Sequence, residues 1–458
     1  MARTRNERLA ALLSEAGWSR TQAANEFNRA AQHLQQATAA GIGRSHISMW
    51  IGGTQPSGAA PVILCQALSH RLNRLITPDE LGFAGPGSAP GVPDWRADPL
   101  PALTDLGRND LDPDRRRLLV SAGYSAAWLA LPGEAWWRAM TELPPPSPGT
   151  ARRVSSGDVA TVQEFTLAFS HIDQRRGGGH ARKALVQFLR SEVTSLLSGT
   201  FSSDQVRRAM FAAAGELTYL SGWMAFDNGE HALAQQYFAL ALKLAARSAD
   251  EPLSGHILRA MAHQALDLSL HRQGLELSAA SLHGQRYASA TPRERALLGV
   301  VHARALASTG DRQAAAKALL QAENDLAAAS AEIPEPNRTF FFGEASLAHE
   351  TACTLAACGD RRGAVRHFQR SVRTRGEAFA RTHAVTLGYL GAVQLATGVV
   401  EEACATWQRA LEAMEEGIHS GRARQTVVDM RRLLSPYRRR QIPAVASLDA
   451  RAAAYLAQ

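Results

Sequence analysis

Apolar residues recur at helical spacing along almost the whole chain, and β-type alternation is nearly absent. Leu9, Leu12, Leu13 and Ala16 form a first stripe, with Gly17 placed where that helix would stop. Ser19 and Gln22 have S-x-x-Q spacing, the capping box in which two side chains satisfy free backbone N–H groups reciprocally. A second helix therefore starts there, with Ala23, Ala24 and Phe27 inward. The spacing predicts a third, short helix over 44–51, with Ile47, Trp50 and Ile51 inward and Gly52-Gly53 ending it. Pro61–Arg74 makes a fourth, burying Val62, Cys65, Leu68 and Leu72. From about residue 103 onward Ala- and Leu-rich helical patterns take over. The expected fold class is all-α.

Residues 84–102 hold Pro86, Pro90, Pro93, Pro99 and Pro101 among several glycines, a linker composition. The expected divisions are an N-terminal module at 1–83, a linker at 84–110 and a helical array at 111–458, with a further break at Pro144–Pro146 and Pro148. Within the array a Gly is followed five residues later by Ala: Gly229/Ala234, Gly274/Ala279, Gly310/Ala315, Gly359/Ala364 and Gly398/Ala403. Phe238, Leu319, Phe368 and Trp407 stand nine residues after their glycines, and Gly222 and Gly391 seven before. This phasing resembles the tetratricopeptide pattern, in which small residues let two antiparallel helices approach. The second copy fits poorly, with His283 and Arg286 at positions usually aromatic and small. Helices at about 158–174 and 181–198 should precede the first clear repeat, and Val427–Leu434 and Leu448–Leu456 should cap the far end. Phasing from the glycines puts Tyr219, Trp223 and Phe226 on a concave groove, with Gln264, His271, Arg304 and His349 further along. Such a groove suits an extended peptide or a small amphiphile.

With 458 residues, 45% of them hydrophobic and 20% charged, disorder is excluded as the main state. No stretch approaches the ~18–20 unbroken apolar residues that a membrane helix needs. The first residues, MARTRNERLAALLSEAG, lack the apolar core of a secretory signal, so a cytoplasmic, nucleoid-associated location is expected. Arg115-Arg116-Arg117 followed by an apolar run imitates a twin-arginine export signal, but it lies far inside the chain. The net charge is +8, which favours polyanionic partners. Only Lys183, Lys243 and Lys317 are lysines, so 50 − 3 leaves 47 arginines, a bias that fits a GC-rich genome. Cys65, Cys353, Cys358 and Cys404 lie in apolar helical runs without zinc-site spacing. His349-Glu350-x2-Cys353 lacks the second histidine of a zinc protease, and Gly177-Gly178-Gly179 lacks the Lys-Ser of a phosphate loop. No catalytic constellation, cofactor or metal is expected, and the protein reads as a non-enzyme.

Thr21-Gln22-x2-Asn25 and the segment Arg44-Ser-His-Ile-Ser-Met-Trp50-Ile-Gly52-Gly resemble the repressor-type (phage Cro/cI-like) helix-turn-helix. In that family the second of these segments is the recognition helix. The resemblance implies Gln22 as a phosphate contact, Arg44, Ser45, His46, Ser48 and Met49 as groove-facing, and Ile47 and Trp50 as core. Elementary chemistry agrees: short polar or basic groups at the front of a helix reach base edges, and a free helix N-terminus attracts phosphate. Arg20, Thr54 and Gln55 are expected to touch the DNA backbone. The segment AAQHLQQATAAGI between the two helices is longer than the usual turn, and residues 1–83 carry a net charge of only +3, eight arginines against five acids.

Over nearly its whole length the chain resembles a family of actinobacterial regulators that includes negative regulators of streptomycete differentiation and antibiotic production. Gly177-Gly-Gly-His-Ala-Arg182 and Gly222-Trp-Met-Ala-Phe-Asp-x-Gly229, continuing to Ala241, carry the likeness. It implies transcriptional control of development or secondary metabolism. The expected partners are double-stranded DNA and, in the groove, a peptide, small molecule or protein effector; no membrane is expected, and a homodimer would present two DNA-reading heads. The alternative class is a scaffold that binds no DNA and recruits a protein or peptide through the array.

Overall fold

The stripes become helices because each buries one apolar face, and in this computed structural model helices supply nearly all regular structure of the described residues. Those residues are 5–33, 41–56, 60–72, 76, 80–83, 95, 97–121, 124, 131–142, 152–440 and 442–457. Helices α1 (Glu7–Glu15), α2 (Arg20–His33), α3 (Arg44–Ile51) and α4 (Ala60–Leu72) pack into an N-terminal bundle. Leu9, Phe27, Ile47, Ile63, Leu64 and Leu68 are all fully buried there. Gly17 ends α1 in the left-handed region (φ +67°), where Trp18 N–H bonds Leu13 C=O at 2.9 Å.

Part of the expected linker is ordered and packed. Helix α5 (Pro99–Leu111) starts with prolines in its first turn, where a missing N–H costs nothing, capped by the Asp98 carboxylate. Its apolar face carries Leu100, Leu103 and Leu106, so this stretch buries surface rather than spanning a gap. Next come α6 (Pro113–Ser121), α7 (Glu134–Glu142), α8 (Ser156–Arg176), α9 (Gly178–Phe188), α10 (Thr194–Leu197), α11 (Asp204–Asp227) and α12 (His231–Ser248). A π-helical turn over Leu189–Val193 joins α9 to α10. Asp110 of α5 pairs with Arg182 of α9 and accepts from the Tyr237 hydroxyl of α12 at 2.8 Å. Arg247 of α12 meets Asp98 at 3.2 Å. The linker boundary at 110 therefore falls inside the array's packing. The arginines of the export-signal imitation lie on helix α6, where Arg116 pairs with Glu230, and most of the apolar run after them lies outside the described residues. The Pro144–Pro146 and Pro148 break lies outside the described residues.

The array continues through α13 (Glu251–Asp267), α14 (His271–Ser281), α15 (Gln285–Ala288), α16 (Pro292–Ser308), α17 (Arg312–Ala327), α18 (Glu344–Ala357), α19 (Arg361–Thr374), α20 (Ala380–Ala396) and α21 (Val400–Glu415). Helices α22 (Gly421–Leu434) and α23 (Pro443–Ala457) close it. Five helix pairs repeat: α11/α12, α13/α14, α16/α17, α18/α19 and α20/α21. Gly229, Gly310, Gly359 and Gly398 each hold the inter-helix turn with φ between +78° and +94°.

The second copy corrects the sequence phasing. Its turn residue is Ser269 (φ +60°), while Gly274 lies inside α14. Counting from Ser269, Gly274 takes the small position five residues on, and a Cβ there would stand 2.7 Å from Leu266. Ala262 then matches Gly222, Ala303, Ala352 and Gly391 seven residues before the turn. Twelve after it, Ala241, Ser281, Ala322, Ser371 and Ala410 are all fully buried. His283 and Arg286 thus never occupied the repeat positions, and the copy is regular.

Two features shape the concave side. The long interval between Gly310 and Gly359 contains a loop whose turn Asn337–Thr339 reaches back across the array. There Arg338 meets Glu294 at 2.7 Å, Glu216 at 2.9 Å and Asp250 at 3.3 Å. The far end also folds back on the near end. Arg381 of α20 bonds Asp173 of α8 at 3.2 Å and Asp227 of α11 at 3.1 Å, and Gly179 N–H donates to His419 C=O at 3.0 Å. Gly177 permits this closeness, since a Cβ there would stand 2.5 Å from the His419 carbonyl oxygen.

Candidate nucleic-acid interface and interior cavities

The capping box forms as the spacing required: Ser19 N–H donates to Gln22 Oε1 at 2.8 Å and Gln22 N–H to Ser19 Oγ at 3.3 Å. Gln22 stays exposed, with its Oε1 in use and its amide Nε2 the group left to donate outward. On α3 the inner face is locked by Ile47, Trp50 and Ile51, and the Trp50 ring lies 5.6 Å from Phe27 and 6.4 Å from Phe83. Arg44, Ser45 and Met49 stand on the opposite face, Met49 at 47% exposure.

Two expected readers have other duties. His46 is half-buried, and its Nδ1 accepts from Gly43 N–H at 3.1 Å, so it caps the helix it was expected to extend outward from. Ser48 is half-buried; its hydroxyl donates to Arg44 C=O at 2.9 Å and accepts from Arg20 at 3.3 Å. Arg20 thereby links the outer edges of α2 and α3. Thr54 and Gln55 line a shallow depression of about 440 Å³ beside Arg5 and Arg8.

The length of the inter-helix segment raised the question of how α3 is held. Asn28 answers it: Gly41 and Ile42 N–H donate to its Oδ1 at 2.9 and 3.1 Å, and its Nδ2 donates to Ile42 C=O at 2.9 Å. Sequence reading missed this residue, because a polar group on a helix flank carries no periodic signal. The one available clue was that Asn, with an acceptor and two donors on one amide, can bridge a passing backbone.

Of the groove residues, Tyr219, Trp223 and His349 do line cavities. The first cavity, about 350 Å³, lies between α8, α11 and the 336–341 segment and is bordered by Tyr219, Trp223, Phe340 and Phe341. The second, about 70 Å³, adjoins it and shares Gln174, Trp223 and Phe341 with the first. The other four expected groove residues are elsewhere. Phe226 is fully buried beneath the Arg422 guanidinium at 5.0 Å. Gln264 is buried and donates to His231 C=O at 2.9 Å. His271 begins α14, a second helix of its pair, because the glycine phasing was displaced there. Arg304 is spent on Asp267 at 2.8 Å. Burial pushes the Tyr219 hydroxyl up despite the Arg259 guanidinium at 2.9 Å, and burial with nearby Arg375 and Arg304 holds His349 well below the usual range.

A protein-family model described as the SP15 N-terminal domain matches residues 9–84. That range starts within α1 and ends just after Phe83, so it coincides with the N-terminal bundle. No curated protein matches the chain. No helix among the described residues is long and apolar enough to cross a membrane, and no group of three or more His, Cys, Asp or Glu among them is placed to hold a metal ion.

Proposed function

We propose that this chain is a sequence-specific DNA-binding transcriptional regulator whose helical array senses or recruits an effector. One observation carries the reading: Arg44, Ser45 and Met49 project together from a short helix whose other face is clamped by Ile47, Trp50 and Ile51. An arginine at the front of such a helix can pair with guanine O6 and N7, and an exposed methionine offers an apolar contact to a thymine methyl. Gln22 Nε2 and Arg20 supply backbone contacts that fix register without reading sequence. His46 and Ser48 support these readers from behind, by capping α3 and by tying it to Arg20. The likeness to actinobacterial regulators points to genes of development or secondary metabolism.

The test is binding of purified protein to genomic fragments across a salt series. Each phosphate contact should add about −0.9 to the log–log slope. Arg44→Ala should weaken preferred fragments by about 1–3 kcal/mol and leave random DNA nearly unchanged. A scaffold that binds no DNA would show neither effect.

A further inference from the structure

The smaller cavity, of about 70 Å³, is walled by four arginines from four separate segments: Arg259 of α13, Arg375 just after α19, Arg381 of α20 and Arg422 of α22. Glu350 is the single acidic side chain among its lining residues. Two of the guanidiniums are matched, Arg381 by Asp173 and Asp227, and Arg422 by Asp267 at 3.3 Å. The other two have no carboxylate within 4.0 Å among the described residues. Arg259, only 2% exposed, bonds the Tyr219 hydroxyl and His256, while its Nε has no partner. Arg375 bonds Ala345 C=O and the Ser371 hydroxyl, and its Nε is likewise unpartnered. Holding a charge against neutral groups alone is unfavourable, so the buried Arg259 and the half-buried Arg375 on one cavity wall suit an anion.

We propose that this cavity binds a phosphate-sized oxyanion, free or carried by a small molecule, through Arg259 and Arg375. The void exceeds several-fold the roughly 10–15 Å³ that one water occupies by this measure. Guanidinium forks match the geometry of phosphate and carboxylate oxygens. Glu350 at the cavity wall already faces Arg304 at 3.7 Å, and burial raises its pKa against that pull. Burial, with Arg381 adding to it and Glu350 opposing, pushes Arg375 down to about 10. The larger cavity shares Trp223 and Phe341 with this one and would house the body of an organic anion. The site needs no DNA, so failure of operator binding leaves it standing, and its own failure leaves the DNA-reading proposal intact.

The test is calorimetry and thermal melting of the full chain with inorganic phosphate, at ionic strength held constant with chloride. Saturable one-to-one binding with a rising Tm is expected. Arg259→Gln and Arg375→Gln should each weaken phosphate at least about tenfold, whereas Arg375→Lys, which keeps the charge but loses the fork, should weaken it less than Arg375→Gln. Tighter binding of glycerol 3-phosphate than of phosphate would assign the site to a carried group, and the reverse to the free ion. Should Arg259→Gln fail to melt cooperatively, the Arg375 pair decides. Absence of saturable binding, or equal binding by wild type and Arg375→Gln, would overturn the proposal.

Discussion

At the scale of single residues, the bundle shows which side chains a sequence pattern can find. Trp50 and Ile47 were legible because core positions repeat, and burial confirms both. Asn28 was not, because its work is to satisfy three backbone groups of a segment thirteen and fourteen residues away. Replacing it with Ala leaves the half-buried Ile42 N–H and C=O without their partner, at about 1–3 kcal/mol. Hydrogen exchange should register this as faster exchange of the 41–46 amides, by roughly five- to 150-fold at about 1.4 kcal/mol per decade. Global stability of the array should not change. Unaltered exchange at those amides would mean that something other than Asn28 positions α3. His46 and Ser48 teach the complementary lesson: polar residues at the front of a helix are as useful for capping as for contact, and sequence alone does not separate the two uses.

Among elements, the array was legible wherever a glycine occupies the tight turn and obscure where another residue does. Gly229, Gly310, Gly359 and Gly398 adopt positive φ, which costs glycine little. Ser269 adopts φ +60° in their place, so counting from the nearest glycine displaced that repeat by five residues and carried His271 onto the wrong helix. The insert that bears Arg338 was equally hidden, because its three carboxylate partners come from α11, the Asp250 cap and α16. Linker composition at 84–102 likewise concealed that Pro99 and Pro101 start a helix. Ser269 offers a direct check. A non-glycine residue in the left-handed region gives up about 1–2 kcal/mol, partly offset by the extra chain entropy of glycine when unfolded, about 0.4–1 kcal/mol. Ser269→Gly should therefore stabilise the array by roughly 0.5–1 kcal/mol in urea unfolding, with m unchanged. Destabilisation would show that the Ser269 side chain has a role that its backbone angle does not reveal.

Across the whole molecule, the closure of the array includes one guanidinium that serves two carboxylates. Arg381 holds both Asp173 and Asp227, all three nearly inaccessible to water, and Asp173 Oδ1 has no hydrogen-bond partner. Burial pushes the Asp173 carboxyl up to about 6, with Asp227 adding to the rise and Arg381 opposing it. A raised folded-state pKa means that the folded chain binds this proton more tightly than the unfolded chain, whose Asp titrates near 3.9. The contribution of Asp173 to stability therefore grows as pH falls through about 6 toward 4, and is lost as pH rises through 6. Four buried histidines act in the opposite sense. Burial lowers His231 to about 4 and holds His256, His263 and His349 well below the usual value, so each destabilises the fold as pH drops beneath about 6.5. A single pH profile mixes these terms, and a difference between variants separates them. Asp173→Asn removes the titrating proton, keeps an oxygen that can accept from Arg381, and leaves the histidines in place. Relative to this variant, wild type should gain about 1.4 kcal/mol on going from pH 8 to pH 5, the integral of one proton bound at about 6 rather than 3.9. Urea unfolding of both proteins at the two pH values measures it. A difference that stays constant, or moves the other way, would place the Asp173 proton at an ordinary affinity.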